Sequence, residues 1–145
     1  MAKVRKSPGR AASLLGNTVR TAIYLVQARI ELIRLTTARI DERNRLSAEQ
    51  GRVMKSAASL DIALVGSAEW IVPRVARRMP FRSDCLVQAM AAQDLLVHFG
   101  LSSRIVIGVE GGGEKPFSSH AWLECGDSVV VGGEVDQFNP ILGED

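Results

Sequence analysis

The chain carries only two cysteines and two histidines among 145 residues, it opens without an apolar leader, and it has no apolar run of membrane-spanning length. So few cysteines with no secretory segment point to a reducing, cytoplasmic compartment, with Cys85 and Cys125 as free thiols rather than a disulfide. A transmembrane helix needs about twenty consecutive apolar residues, and Arg20, Arg29, Arg34 and Arg39 break the longest candidate. Only a peripheral membrane contact stays open. Cysteine and histidine never fall close enough together for zinc-ligand spacing, and no metal is expected. There is no internal repeat and no phosphate-cradling loop. Gly111-Gly112-Gly113 lies between two strand-like segments and reads as a hairpin loop. The first half of the chain has no strand signature at all.

What is present is enough for one packed domain, since 46% of the residues are apolar. The net charge of +2 hides an asymmetry: residues 1–82 hold 16 Lys and Arg against 6 Asp and Glu, and residues 83–145 hold 2 against 10. A basic first half can meet an acidic peptide, an acidic protein surface, an anionic membrane or nucleic acid, or simply the acidic second half. Charge alone does not choose.

Residues 1–10 are basic, contain Pro8 and Gly9, and are expected to be mobile. Residues 11–69 read as helical. An amphipathic pattern runs from about Ala11 to Arg45 through Leu15, Val19, Ala22, Val26, Ile30, Ile33 and Ile40, as one or two helices. After the polar stretch 46–55, helical character resumes through Trp70, and Pro73 suits the first position of a short helix ending near Arg78.

Residues 70–145 carry the chemistry. In Phe81-Arg82-Ser83-Asp84-Cys85-Leu86, Ser83 or Asp84 can cap a helix whose first turn holds Cys85, where free backbone N–H groups favour a thiolate. The helix runs to a glycine stop at Gly100. Beyond it the period drops to two: Arg104 to Val109 is a strand, residues 110–116 a loop, Phe117 to Cys125 a second strand, and Gly126-Asp127 a type II′ turn into Ser128 to Val131. The fold class expected is α+β, with N-terminal helices followed by a cysteine-bearing helix packed on a small antiparallel sheet. On the second strand His120, Trp122 and Glu124 share one face, and Ala121, Leu123 and Cys125 the other.

A thiol nucleophile needs a base, and His120 is the candidate. His98 lies thirteen residues along the same helix from Cys85, roughly 20 Å away at 1.5 Å per residue, and cannot reach it. An imidazole in this role is usually oriented through its other nitrogen. The position opposite His120 on the next strand is Gly132 or Gly133, depending on loop length, so the nearest acid is Glu134, with Asp136 the alternative. A glycine-rich bulge can turn Glu134 onto the correct face.

The segments Arg78 to Leu86, Leu95 to Gly100, Arg104 to Val109, Phe117-Ser118-Ser119-His120-Ala121-Trp122-Leu123-Glu124 and Phe138-Asn139-Pro140-Ile141 together resemble the transglutaminase-like leader peptidases of lasso-peptide biosynthesis, the B2 proteins, over about residues 70–142. The resemblance implies a papain/transglutaminase-like core and a cysteine protease that removes the leader from a ribosomally made precursor peptide. Cys85 would be the nucleophile and His120 the general base and acid, with no cofactor and no nucleic acid. The family usually has an aspartate after the second strand, where this chain reads Val131-Gly132-Gly133-Glu134. A helical rather than stranded N-terminus implies a separate leader-recognition protein, followed by an ATP-dependent, asparagine-synthetase-like cyclase, with the basic helices offering a docking surface. The alternatives are an acyltransferase on the same scaffold and a non-catalytic helical adaptor.

Overall fold

The structure, a computed structural model, describes residues 8–143; the expected mobile segment 1–10 lies outside it up to residue 7. Four helices come first in this order: α1 (Pro8–Leu32), α2 (Thr37–Gln50), α3 (Ser59–Ala76) and α4 (Cys85–His98). They lead into β1 (Arg104–Gly112), β2 (Lys115–Cys125), β3 (Ser128–Val131) and β4 (Asn139–Leu142). The strands form one antiparallel sheet in the order β3-β2-β1-β4. The α+β reading holds.

The centre of the fold is α4. Asp84, in extended backbone, precedes it. At the other end Gly100 takes φ 79°, and the N–H groups of Gly100 and Leu101 return to the carbonyls of Val97 and Leu96. That pair of bonds is the glycine stop expected there. Between the caps α4 is buried almost all round, from Val87 through Leu96, because α1 and α3 pack on it from one side and the sheet from the other. One apolar cluster joins Leu25 of α1, Ile40 of α2, Val72 of α3, Leu95 of α4, Ile105 of β1 and Leu123 of β2.

Polar groups fix the register of these layers. The half-buried Arg43 guanidinium donates to Glu31 and Asp94, each at 2.8 Å, and to the Met90 carbonyl at 3.0 Å, pinning α2 to α1 and α4. Asn44 accepts from the Ile105 N–H at 2.8 Å and donates to the Ile105 carbonyl at 2.9 Å, so a side-chain amide finishes the edge of β1 that β4 leaves unpaired. Between α2 and α3, Arg52 pairs with the backbone of Gly100 and Ser102 and grips Asp61 with both terminal guanidinium nitrogens. Gly51 permits that approach, since a Cβ there would lie 2.3 Å from the Ser102 nitrogen.

Three expectations need correction. The first helix begins at Pro8, not at 11. Pro73 does not open a helix: α3 runs through it to Ala76, across the expected boundary at 69/70. A proline so near a helix end removes one bond, that to the Glu69 carbonyl, and Glu69 is exposed to water. The loop expected over 110–116 is mostly strand, closed by Gly113-Glu114, with a bulge between Glu110 and Gly112. Backbone pairing there proceeds without an apolar face to announce it. Among the described residues no helix is long and apolar enough to cross a membrane.

Candidate active site

Cys85 is the first residue of α4 and is half-buried, as a thiol at a helix start should be if it is to meet a substrate. The turn ahead of it is held by the Gln88 side chain, which donates to the Ser83 carbonyl at 2.8 Å, and by the Gln88 N–H, which donates to the Asp84 carbonyl at 3.0 Å. The Ser83 hydroxyl oxygen is enclosed and has no hydrogen-bond partner among the described residues. Composition gave no sign of that.

His120 stands opposite Gly108 of β1. Its ring lies 5.0 Å from the Phe138 ring and 6.2 Å from that of Trp122, nearly parallel to the latter. Gly108 makes this aromatic group fit, since a Cβ there would come within 2.8 Å of the indole. The indole N–H donates to Glu124 at 2.8 Å, and Glu124 is in turn held by Arg104 at 3.0 Å. The shared face of His120, Trp122 and Glu124 is therefore a connected surface. Phe138, from the segment before β4, is the member that sequence reasoning missed; Phe138-Asn139-Pro140 has no alternation to mark it.

The imidazole Nε2 lies 2.6 Å from the Gly132 carbonyl oxygen. A carbonyl only accepts, so Nε2 carries a proton, and in the neutral imidazole the lone pair is then on Nδ1. Gly132 reaches this place through a bulge opposite Leu123 and Glu124, with φ 127°, and a Cβ on it would lie 2.4 Å from that of Trp122. Only glycine fits there. Glu134 and Asp136 are exposed on the loop that follows and make no hydrogen bond or ion pair with any described residue.

No hydrogen bond joins the thiol and the imidazole, and the Cys85 sulfur has no hydrogen-bond partner among the described residues. Strand alternation accounts for this. Leu123 and Cys125 point into the core shared with α4, and His120 points to the opposite face with Trp122. The second cysteine is fully buried, its S–H donating to the Ser102 carbonyl at 3.3 Å, and burial pushes its thiol pKa up. His98 is exposed in the last turn of α4. Near Cys125, the Arg52 guanidinium and the Lys55 N–H hold the Asp61 carboxyl at about 2. No three His, Cys, Asp or Glu side chains converge as a metal site among the described residues.

Residues 22–143 match the family model of the transglutaminase-like superfamily. The Microcin J25-processing protein McjB of Escherichia coli is 38% identical over 50 residues, a stretch covering 34% of this chain and only 23% of that relative. No solved structure matches the chain.

Proposed function

The chain belongs to the transglutaminase-like superfamily, and from that premise we propose that it is a cysteine peptidase that removes the leader of a lasso-peptide precursor. The observation that carries this reading is the His120 ring: Gly132 holds its Nε2 proton, so that in the neutral imidazole Nδ1 is the nitrogen left to act as the base a thiol requires. Cys85, at the head of α4, is the nucleophile. In the reaction Nδ1 takes the thiol proton, the sulfur adds to the carbonyl at the leader/core junction, and the backbone N–H groups at the start of α4 stabilise the oxyanion. His120 returns its proton to the departing core amine. Water then resolves the leader thioester.

The Gly132 carbonyl replaces the carboxylate as orienting group in this reading, with Glu134 and then Asp136 as the acids nearest to it in sequence. This reading requires a movement on substrate binding that brings the imidazole to the sulfur, because in the free chain His120 lies with Trp122 on the sheet face away from the core shared with α4. The likeness to a microcin-processing protein supports the substrate class. A separate leader-recognition protein and an ATP-dependent, asparagine-synthetase-like cyclase are the partners that go with it.

The test is mass spectrometry of the microcin J25 precursor, incubated with the chain with and without a leader-binding protein. Appearance of free leader and core, with a Cys85-linked leader thioester trapped at early times, is the expected result. Transfer of the leader to an added amine in place of water would make the chain an acyltransferase. Absence of both products under every condition, with the chain folded, would leave it a non-catalytic adaptor.

A further inference from the structure

The outward face of α1 is apolar and uncovered. Among the described side chains of this helix Thr21, Leu25 and Ala28 are buried, whereas Val19, Ile23, Val26 and Ile30 are 53%, 51%, 41% and 63% exposed, and Ile33, in the turn that follows, is 81% exposed. Their spacing is four, three, four, three. That is the heptad pattern of a helix-pairing seam, narrower than the broad stripe by which a helix lies on a globular core. All five are β-branched, with side chains stiff enough to act as fixed knobs.

The edges of the seam are basic. Arg20, Gln27 and Arg34 flank it on one side, Ala22 and Arg29 on the other. The nearest acid, Glu31, is turned inward and held by Arg43 at 2.8 Å. A second copy of this chain is a poor occupant, because a parallel pair sets Arg29 against Arg34 and an antiparallel pair sets Arg20 against Arg34. A bilayer is a poor one too, since helices that lie in its surface carry Trp or Phe on the apolar face, and the large apolar residues exposed on α1, Leu14 and Leu15 included, are all aliphatic.

We propose that the outer face of α1 is a docking seam for an acidic amphipathic helix of a partner protein, with aliphatic residues meeting Val19, Ile23, Val26 and Ile30 and carboxylates meeting Arg20, Arg29 and Arg34. The seam is independent of the chemistry assigned to Cys85. Because the residues point into solvent, the proposal can be tested on the intact chain without disturbing its core.

The probe is a synthetic helix of three heptads with leucine and isoleucine along its seam and glutamate at its edges, followed by fluorescence anisotropy as the full chain is added. Saturable binding is expected, weakened by about tenfold or more by Ile23→Ser with Ile30→Ser, and by raised salt. Arg29→Glu with Arg34→Glu should transfer the preference to the same helix with lysine edges. No saturable binding, or equal binding of the glutamate-edged and lysine-edged helices by the unaltered chain, overturns the proposal. So does co-sedimentation with phosphatidylglycerol vesicles, or a concentration-dependent dimer in sedimentation, that the Ile23→Ser/Ile30→Ser chain loses while the peptide fails to bind.

Discussion

Two helices of this chain are rich in aliphatic residues and meet opposite fates. α4 is enclosed from Val87 to Leu96, and even Gln93 is 2% exposed, its amide donating to Asn44 and to the Ser103 carbonyl. α1 buries one narrow line of residues against α4 and α3 and presents its Val and Ile ridge to solvent. The difference is position in the layers. α4 has neighbours on all sides, whereas α1 is an outer layer with a neighbour on one. Apolar spacing thus marks a face that something must cover. It does not say whether the cover comes from the same chain.

The sharpest break between the two helices concerns chemistry, which α4 alone should carry. Cys85→Ala should abolish leader cleavage in the precursor assay, because no other thiol can substitute. Cys125→Ala should leave most activity, its sulfur being buried on the sheet face away from His120. Alkylation should follow the same order: iodoacetamide should label Cys85 first, while the enclosed Cys125 waits for unfolding. Equal losses from the two substitutions, in folded proteins, would remove Cys85 from its role.

The next contrast is energetic. Leu96 is fully buried in α4, so Leu96→Ala should cost about 2–5 kcal/mol through lost burial and the cavity left behind. Ile30→Ala, on the outer ridge of α1, should change stability by no more than about 0.5 kcal/mol. Urea unfolding of both variants decides it. A large loss at Ile30 would mean that the ridge is covered within the folded chain, which would also remove the docking seam.

These contrasts explain what was legible in the sequence. The start and stop of α4, the split of β2 into a His120 face and a Cys125 face, and the turn at Gly126 depend on local backbone chemistry, and they were readable. Gly126 has φ 59°, as the first position of the expected turn requires. The partner of the imidazole was not readable as such. A bulge moved Gly132 under His120, and the bonding atom is a backbone carbonyl, which no residue type advertises. Pro73 misled because a proline costs little in a last turn open to water. The strand β4 and the ends of the β1/β2 hairpin owe their pairing to neighbours distant in sequence, so alternation was absent there.

The site offers a contrast of its own, between a backbone orienter and a carboxylate. His120→Ala should lower the single-turnover rate by about a hundredfold or more, the usual scale for an acid–base group, and His98→Ala should cost little. Glu134→Gln and Asp136→Asn should then change the rate by less than about threefold, since neither carboxylate bonds to the ring. A tenfold fall in either would return the orienting role to that acid. Wild-type turnover by the His120→Ala protein would end the thiol–imidazole reading altogether.

The smallest expected effect concerns the polar stitch between the layers. Arg52 joins the start of the α2–α3 connection to Asp61 and holds that carboxyl at about 2, below its ordinary 3.8. A carboxyl depressed in the folded state stabilises the fold at pH values above its unfolded pKa, and that contribution is lost as pH falls through the folded value. The window is therefore from about pH 4 down to about pH 2. Asp61→Asn should flatten the fall in the urea midpoint between pH 5 and pH 2.5, and should matter little to the slope above pH 5. The change in that slope should be modest, because the Arg52 side chain is 49% exposed and water screens its end of the pair, although the Asp61 side chain is only 2% exposed. If the variant and the unaltered chain lose stability in parallel across that window, the connection is held by its backbone bonds to Gly100 and Ser102, and the ion pair contributes nothing to the layer contact.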